Sequence, residues 1–258
     1  RIGIFDSGLG GTTVLKEMMK ALPNEDYIYY GDNGNFPYGS GKTKNEIQKL
    51  TERILDFFVK NNCKLVIVAC NTASTAAIDY LREKFSLPII GIVEAGVKIA
   101  SKTTKNKNIA VISTKFTAES HGYKNKAKMF DSELNVKEIA CIEFAQMIET
   151  GWDTFDNREE LLNKYLAEIP KNVDTLVLGC THYPLIRKDI EDRTKLKVVD
   201  PAVQIVDKVK QTLGSLDLLN DKKAKGKKIF FVTGETYHFK PTAEKFLGEE
   251  IEIYRIPK

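Results

Sequence analysis

Short runs dominated by Ile and Val recur along the chain, separated by longer stretches whose apolar residues fall at helical spacing. Runs that are apolar at consecutive positions predict strands buried on both faces, as in a parallel sheet. They lie at 2–5, 27–30, 65–69, 88–92, 109–112, 175–179 and 196–199. The intervening stretches at 44–60, 72–84, 118–129 and 202–213 predict amphipathic helices. This alternation predicts a doubly wound α/β fold. The C-terminal tail predicts a strand at 228–232, a helix near 241–247 and a strand at 250–256.

One pattern occurs twice. Leu65-Val66-Ile67-Val68-Ala69-Cys70-Asn71-Thr72 and Thr175-Leu176-Val177-Leu178-Gly179-Cys180-Thr181-His182 each run from an apolar strand into a cysteine, then into hydrogen-bonding side chains that open a helix. The two cysteines are 110 positions apart, and a similar offset relates Ile2-Gly3-Ile4-Phe5-Asp6-Ser7 to Ile109-Ala110-Val111-Ile112-Ser113-Thr114. The repeat predicts two pseudosymmetric α/β domains, 1–96 and 97–210, with 211–258 returning to the first. In open α/β sheets ligands bind beyond the carboxyl ends of the strands. Both cysteines stand at such ends, so facing halves would aim Cys70 and Cys180 into one cleft.

Composition removes several alternatives. Of 258 residues 42% are hydrophobic and 29% charged, the balance of a globular chain. No apolar run approaches the roughly 20 residues that span a bilayer. The chain begins on Arg1 and enters a strand pattern directly, without a secretory apolar segment, so a cytoplasmic protein without membrane attachment is expected. The formal net charge is +4, and the densest basic run, at 222–228, carries no aromatic residue for base stacking. It reads as a solvated loop, and no nucleic-acid partner is expected. The four cysteines, Cys63, Cys70, Cys141 and Cys180, show no metal-ligand spacing, and three histidines add little, so no metal is expected. Reduced thiols are the expectation in a reducing compartment.

A lone cysteine at a strand end is ordinarily a small buried hydrophobe. The repeated context changes that reading. A free thiol with a pKa of ~8.5 is only about 3% thiolate at pH 7, and a helix N-terminus is a setting that raises this fraction. Two thiols on opposite faces of a ligand suit inversion of a carbon centre, where one group removes the Cα proton and the other delivers a proton from the far side. Acyl transfer by one cysteine would need a base in reach. His182 could serve Cys180, but Cys70 would be left unexplained.

The glycine-rich segments carry no nucleotide signature. Gly8-Leu9-Gly10-Gly11-Thr12-Thr13 lacks the last glycine of the dinucleotide fingerprint, and Phe36 replaces the first glycine needed for Gly41-Lys42-Thr43 to close a phosphate loop. Both read as anion-cradling turns suited to a substrate carrying carboxylates.

Four segments together resemble the signature segments of the bacterial glutamate racemase family: Ile4-Phe5-Asp6-Ser7-Gly8-Leu9-Gly10-Gly11; Tyr30-Gly31-Asp32 with Pro37-Tyr38-Gly39; Val68-Ala69-Cys70-Asn71-Thr72-Ala73-Ser74; and Leu178-Gly179-Cys180-Thr181-His182-Tyr183-Pro184-Leu185. They occur in the family's order and spacing, and the resemblance extends over essentially the whole chain. It implies cofactor-independent interconversion of L- and D-glutamate, supplying D-glutamate for peptidoglycan. It also implies an active site between two α/β domains, commonly in a homodimer. Carried onto matching positions, it makes Cys70 and Cys180 the proton donors and acceptors. Asp6, Ser7, Asn71, Thr72, Thr181 and His182 surround the reacting carbon, and Tyr38 and Gly39 border the side-chain carboxylate. Asp6 and His182 assist the flanking thiols, and Glu149 resembles an acidic residue near the second thiol. Ser113 and Phe116 stand where the family commonly has glycine, beside Thr114 and Thr117, and Thr233-Gly234-Glu235 also varies from the usual pattern. Helix capping is the ordinary reading of Asn71, Thr72 and Thr181. For His182 it is a satisfied interior histidine, and for Glu149 a surface acid. A racemase for aspartate, a thiol acyltransferase and a two-domain amino-acid binding protein remain the competing readings.

Overall fold

Consecutive buried Ile, Val and Leu residues form strands here because helices cover both faces of each sheet, so no strand face needs to be polar. The computed structural model describes residues 1–221 and 223–258; Lys222, the first residue of the basic run, lies outside the described residues. In chain order the strands are β1 (Ile2–Asp6), β2 (Tyr27–Gly31), β3 (Leu65–Val68), β4 (Ile89–Gly91), β5 (Asn108–Ser113), β6 (Asn135–Ala140), β7 (Thr175–Gly179), β8 (Lys197–Val199), β9 (Lys228–Val232) and β10 (Glu252–Arg255). The helices are α1 (Thr12–Ala21), α2 (Lys44–Lys60), α3 (Asn71–Lys84), α4 (Ile92–Thr103), α5 (Lys115–Glu119), α6 (Gly122–Phe130), α7 (Phe144–Thr150), α8 (Arg158–Ala167), α9 (Arg187–Glu191), α10 (Pro201–Ser215) and α11 (Thr236–Leu247).

The strands form two sheets, ordered β10-β9-β2-β1-β3-β4 and β6-β5-β7-β8, and the strand pairings within them are parallel. The segment β2-β1-β3-β4 and the whole second sheet have the same order, so the sequence repeat is a repeat of topology. Cys70 follows β3 and Cys180 follows β7, the equivalent strands. The tail adds β9 and β10 to the edge of the first sheet through β2.

The expected boundaries at 96/97 and 210/211 fall inside α4 and α10. These helices pack on each other, with α1 against α10 and α6 against α4. The largest apolar core runs through this layer and joins Ile2 and Ile4 of one sheet to Ile109, Val111 and Val177 of the other.

The structure departs from the sequence expectation in three places, and the first two have physical causes. β6 has no continuous apolar run: it is an edge strand with alternating exposure, carrying Lys137 and Glu138. The helix expected at 118–129 is two helices, because His121 adopts a left-handed φ of 52°. Gly122 then passes so close to α3 that a Cβ there would lie 2.4 Å from Thr75 Oγ1. The last helix begins at Thr236 and contains Pro241, which sits inside the helix rather than at its first turn. Of the basic run, Lys223, Ala224 and Lys225 are exposed. Among the described residues no helix is long and apolar enough to cross a membrane.

Candidate active site

The carboxyl ends of β1, β2, β3 and β7 bring together the four motif segments. Cys70 leaves β3 in an extended conformation and is the N-cap of α3; its Sγ accepts from the Ala73 N–H at 3.4 Å and lies 3.6 Å from Ser7 Oγ. Cys180 leaves β7 and is followed by a 3₁₀ turn, Tyr183–Ile186, rather than the regular helix that the sequence pattern predicts. Cys180 Sγ lies 3.7 Å from His182 Nδ1.

Both thiols line one narrow cleft, together with Ser7, Asn71, Thr72, Thr181 and His182. Tyr38, Gly39 and Thr114 line it as well. Asp6 and Glu149 stand behind the cleft wall. Asp6, fully buried, accepts from the Gly8 N–H and from Thr181 Oγ1, each at 3.0 Å. Glu149 Oε2 meets His182 Nε2 at 2.5 Å and accepts from the Leu9 N–H at 3.0 Å. The glycine-rich turn after β1 therefore does cradle anions, but they are the protein's own carboxylates. Its glycines are needed for the approach: a Cβ on Gly8 would lie 2.8 Å from Glu149 Oε1, and one on Gly10 would lie 2.5 Å from Thr181 Oγ1. The other glycine turn leads into the capping box of α2, where Thr43 and Glu46 satisfy each other's backbone N–H.

Thr114 caps α5 and its Oγ1 lies 2.9 Å from Thr72 Oγ1, which ties the halves across the cleft. Thr117 joins this hydroxyl cluster through Thr114 at 3.2 Å. Ser113 and Phe116 fit without distorting it: Ser113 is buried in β5, and the Phe116 N–H donates to the Gly39 carbonyl at 3.1 Å. Tyr38 is held by Asp32, whose carboxylate also accepts from Thr233 Oγ1 at 2.6 Å and from Asn35. The tail thus braces the Tyr38–Gly39 loop through Thr233.

The electrostatics differ at the two thiols. Burial, reinforced by the Asp6 carboxylate, pushes Cys70 up to about 12. The helix N-terminus was expected to favour the thiolate, and the Ala73 N–H does act that way, but loss of water outweighs it. Burial likewise lifts Asp6 to about 6, against the opposing pull of His182. Burial works against a charge on His182, yet its bonds to Cys180 and Glu149 hold the imidazole well above its ordinary value of 6.5. Glu149, His182 and Cys180 form a continuous proton-bearing chain that ends at the cleft.

Gln146, Ala145 and Ile142 also line the cleft, and no sequence motif marked them. The available signal was Glu149: Gln146 lies three residues earlier on α7 and shares its face. Gly39 is a point of close approach between the halves, where a Cβ would lie 2.4 Å from Thr114 Cβ. Gly39→Ala is expected to lower kcat/KM by about 5- to 150-fold with the fold retained, because an overpacked contact of this kind costs roughly 1–3 kcal/mol. Steady-state rates together with circular dichroism check this.

Residues 2–209 match the family model described as Asp/Glu/Hydantoin racemase. A glutamate racemase of Fusobacterium nucleatum is 89% identical over 258 residues, covering 100% of this chain and 98% of the relative. Among solved structures, a glutamate racemase isoform of Bacillus anthracis matches with a TM-score of 0.94 at 32% identity, over 99% of this chain and 96% of that one. The glutamate racemase of Francisella tularensis, in complex with D-glutamate, matches with a TM-score of 0.91 at 34% identity over the same shares.

Proposed function

We propose, for a chain that belongs to the Asp/Glu/hydantoin racemase family, the interconversion of L- and D-glutamate by two thiols on opposite faces of the bound substrate. One observation carries this reading: Cys70 and Cys180, from equivalent strands of two similar sheets, border the same cleft.

One sulfur, as thiolate, takes the Cα proton. The electron pair left on Cα spreads into the α-carboxylate, and the other thiol returns its own proton to the opposite face. Hydroxyl and amide donors of Ser7, Asn71, Thr72 and Thr181 are suited to the charge that builds up on the carboxylate. Cys70, with its high pKa, is a neutral thiol at pH 7 and so the resting proton donor. A cationic His182 offers a proton donor and a positive charge to whatever negative charge the Cys180 sulfur carries during turnover. For the reverse direction Cys70 must lose its proton, and the substrate's α-ammonium brings positive charge into the cleft to help. Asp6 and Glu149 hold the two ends of this arrangement. Tyr38 and Gly39 border the side-chain carboxylate.

The same reading makes the enzyme a cofactor-independent, cytoplasmic homodimer that supplies D-glutamate for peptidoglycan, with glutamate as its small-molecule partner and no need of nucleic acid or membrane. The division at 1–96 plus 211–258 and 97–210 belongs to it too, with α4 and α10 as the shared layer.

Incubation with L-glutamate in deuterated water tests the activity. D-glutamate carrying deuterium at Cα is the expected product, followed by mass spectrometry and optical rotation, with L-aspartate turned over much more slowly. Inversion without deuterium, or tight binding without exchange, would overturn the reading. Faster turnover of aspartate would reassign the substrate.

A further inference from the structure

We propose that Tyr123 is a positioning residue for substrate recognition, fixing the side-chain amide of Asn71 so that its N–H₂ group rather than its oxygen faces the ligand. The inference rests on the reading of the cleft as a glutamate site. Tyr123 stands in the first turn of α6 and Asn71 is the first residue of α3, so the two come from opposite halves. Tyr123 Oη donates to Asn71 Oδ1 at 2.7 Å, and both residues are buried, Tyr123 at 0% and Asn71 at 2% exposure.

That bond engages the amide's acceptor and leaves its donor. Asn71 Nδ2 is buried and has no hydrogen-bond partner among the described residues, while Asn71 lines the cleft beside Cys70. A buried donor without a partner is costly, and buried polar groups are rarely left so. A substrate carboxylate oxygen is the acceptor that such a donor fits. Without the tyrosine hydroxyl the amide can turn over and present its oxygen, which repels a carboxylate. Burial raises the Tyr123 hydroxyl well above its ordinary value, so it remains a donor across the working pH range. Its ring is seated on bare backbone of α4, where a Cβ on Gly96 would lie 2.6 Å from Tyr123 Cε1 and 2.8 Å from its oxygen.

The test is Tyr123→Phe, which keeps the ring and its seat. KM for glutamate should rise about tenfold, the loss of roughly one hydrogen bond, with kcat within about threefold of wild type. The dissociation constant for D-glutamate, measured by calorimetry, should weaken by the same factor. Tyr27→Phe is the control: it removes another buried hydroxyl, bonded to the Leu22 carbonyl at 2.7 Å away from the cleft, and should leave KM unchanged. Asn71→Ala should weaken binding by itself, and adding Tyr123→Phe to it should cost nothing further. Unchanged KM and affinity in Tyr123→Phe, or full additivity of the two substitutions, would overturn the inference while leaving the glutamate reading intact. Neither turnover nor glutamate binding by the wild-type chain would overturn both. Should Tyr123→Phe fail to fold, the side-chain ¹⁵N resonance of Asn71 in the wild type decides. It should move on addition of D-glutamate, and an unmoved resonance overturns the inference.

Discussion

Cys70→Ser and Cys180→Ser are each expected to lower glutamate racemisation at least about a thousandfold, with the circular dichroism spectrum unchanged. A serine hydroxyl is a far weaker acid than a thiol, so neither variant can complete the relay across the substrate. Both cysteines are small and buried, and serine fills nearly the same space. The two enantiomers have equal free energy in water, so kcat/KM for L- and D-glutamate must fall by the same factor in every variant. What distinguishes the thiols is exchange. The one that remains can still remove the Cα proton from the enantiomer that presents it, so Cα deuteration without inversion should persist for one enantiomer in Cys70→Ser and for the other in Cys180→Ser. Undiminished turnover of both enantiomers by either variant sinks the two-thiol reading.

Glu149→Gln is expected to lower kcat/KM by about 10–100-fold and to narrow the pH profile from its basic side. His182 is held above 6.5 by its bonds to Cys180 and Glu149, so the imidazolium persists into the basic range. The sign of the shift follows from linkage. A histidine whose folded value is raised contributes stability that is complete below its unfolded value of about 6.5, and loses it as pH rises through the folded value. Removing the Glu149 charge brings that folded value down, so the basic limb of activity and the loss of stability both move to lower pH. On the acid side, Asp6 titrates near 6. Its two oxygens each accept a hydrogen bond, from Gly8 and from Thr181, and a proton must disturb one of them. Activity should therefore fall below about pH 6 in the wild type. Rate profiles from pH 5 to 10, with thermal melts at each pH, measure both limbs. A basic limb unmoved in Glu149→Gln would remove Glu149 from the proton-bearing chain.

Much of this architecture is legible in one dimension because its determinants are local. Continuous apolar runs marked β1, β3, β5 and β7, since strands buried on both faces need no polar alternation. Apolar residues at helical spacing over 44–60 marked α2. β6 escaped because an edge strand shows only alternation, here interrupted by charges. The break at His121 escaped because a single left-handed residue leaves no signature in hydrophobic spacing.

The candidate site divides in the same way. The twin strand–cysteine pattern, together with the four motif segments, determined by itself which residue types stand at the ends of β3 and β7 and the class of chemistry open to them. Only the folded chain decided their electrostatic state. Burial opposes the helix N-terminus at Cys70 and prevails, and Glu149, 33 residues away along the chain, comes within 2.5 Å of His182. Tyr123 reaches Asn71 across 52 positions. Desolvation and contacts between distant segments depend on what packs around a group, and that is set by how the two halves close on each other rather than by any residue's neighbours in sequence.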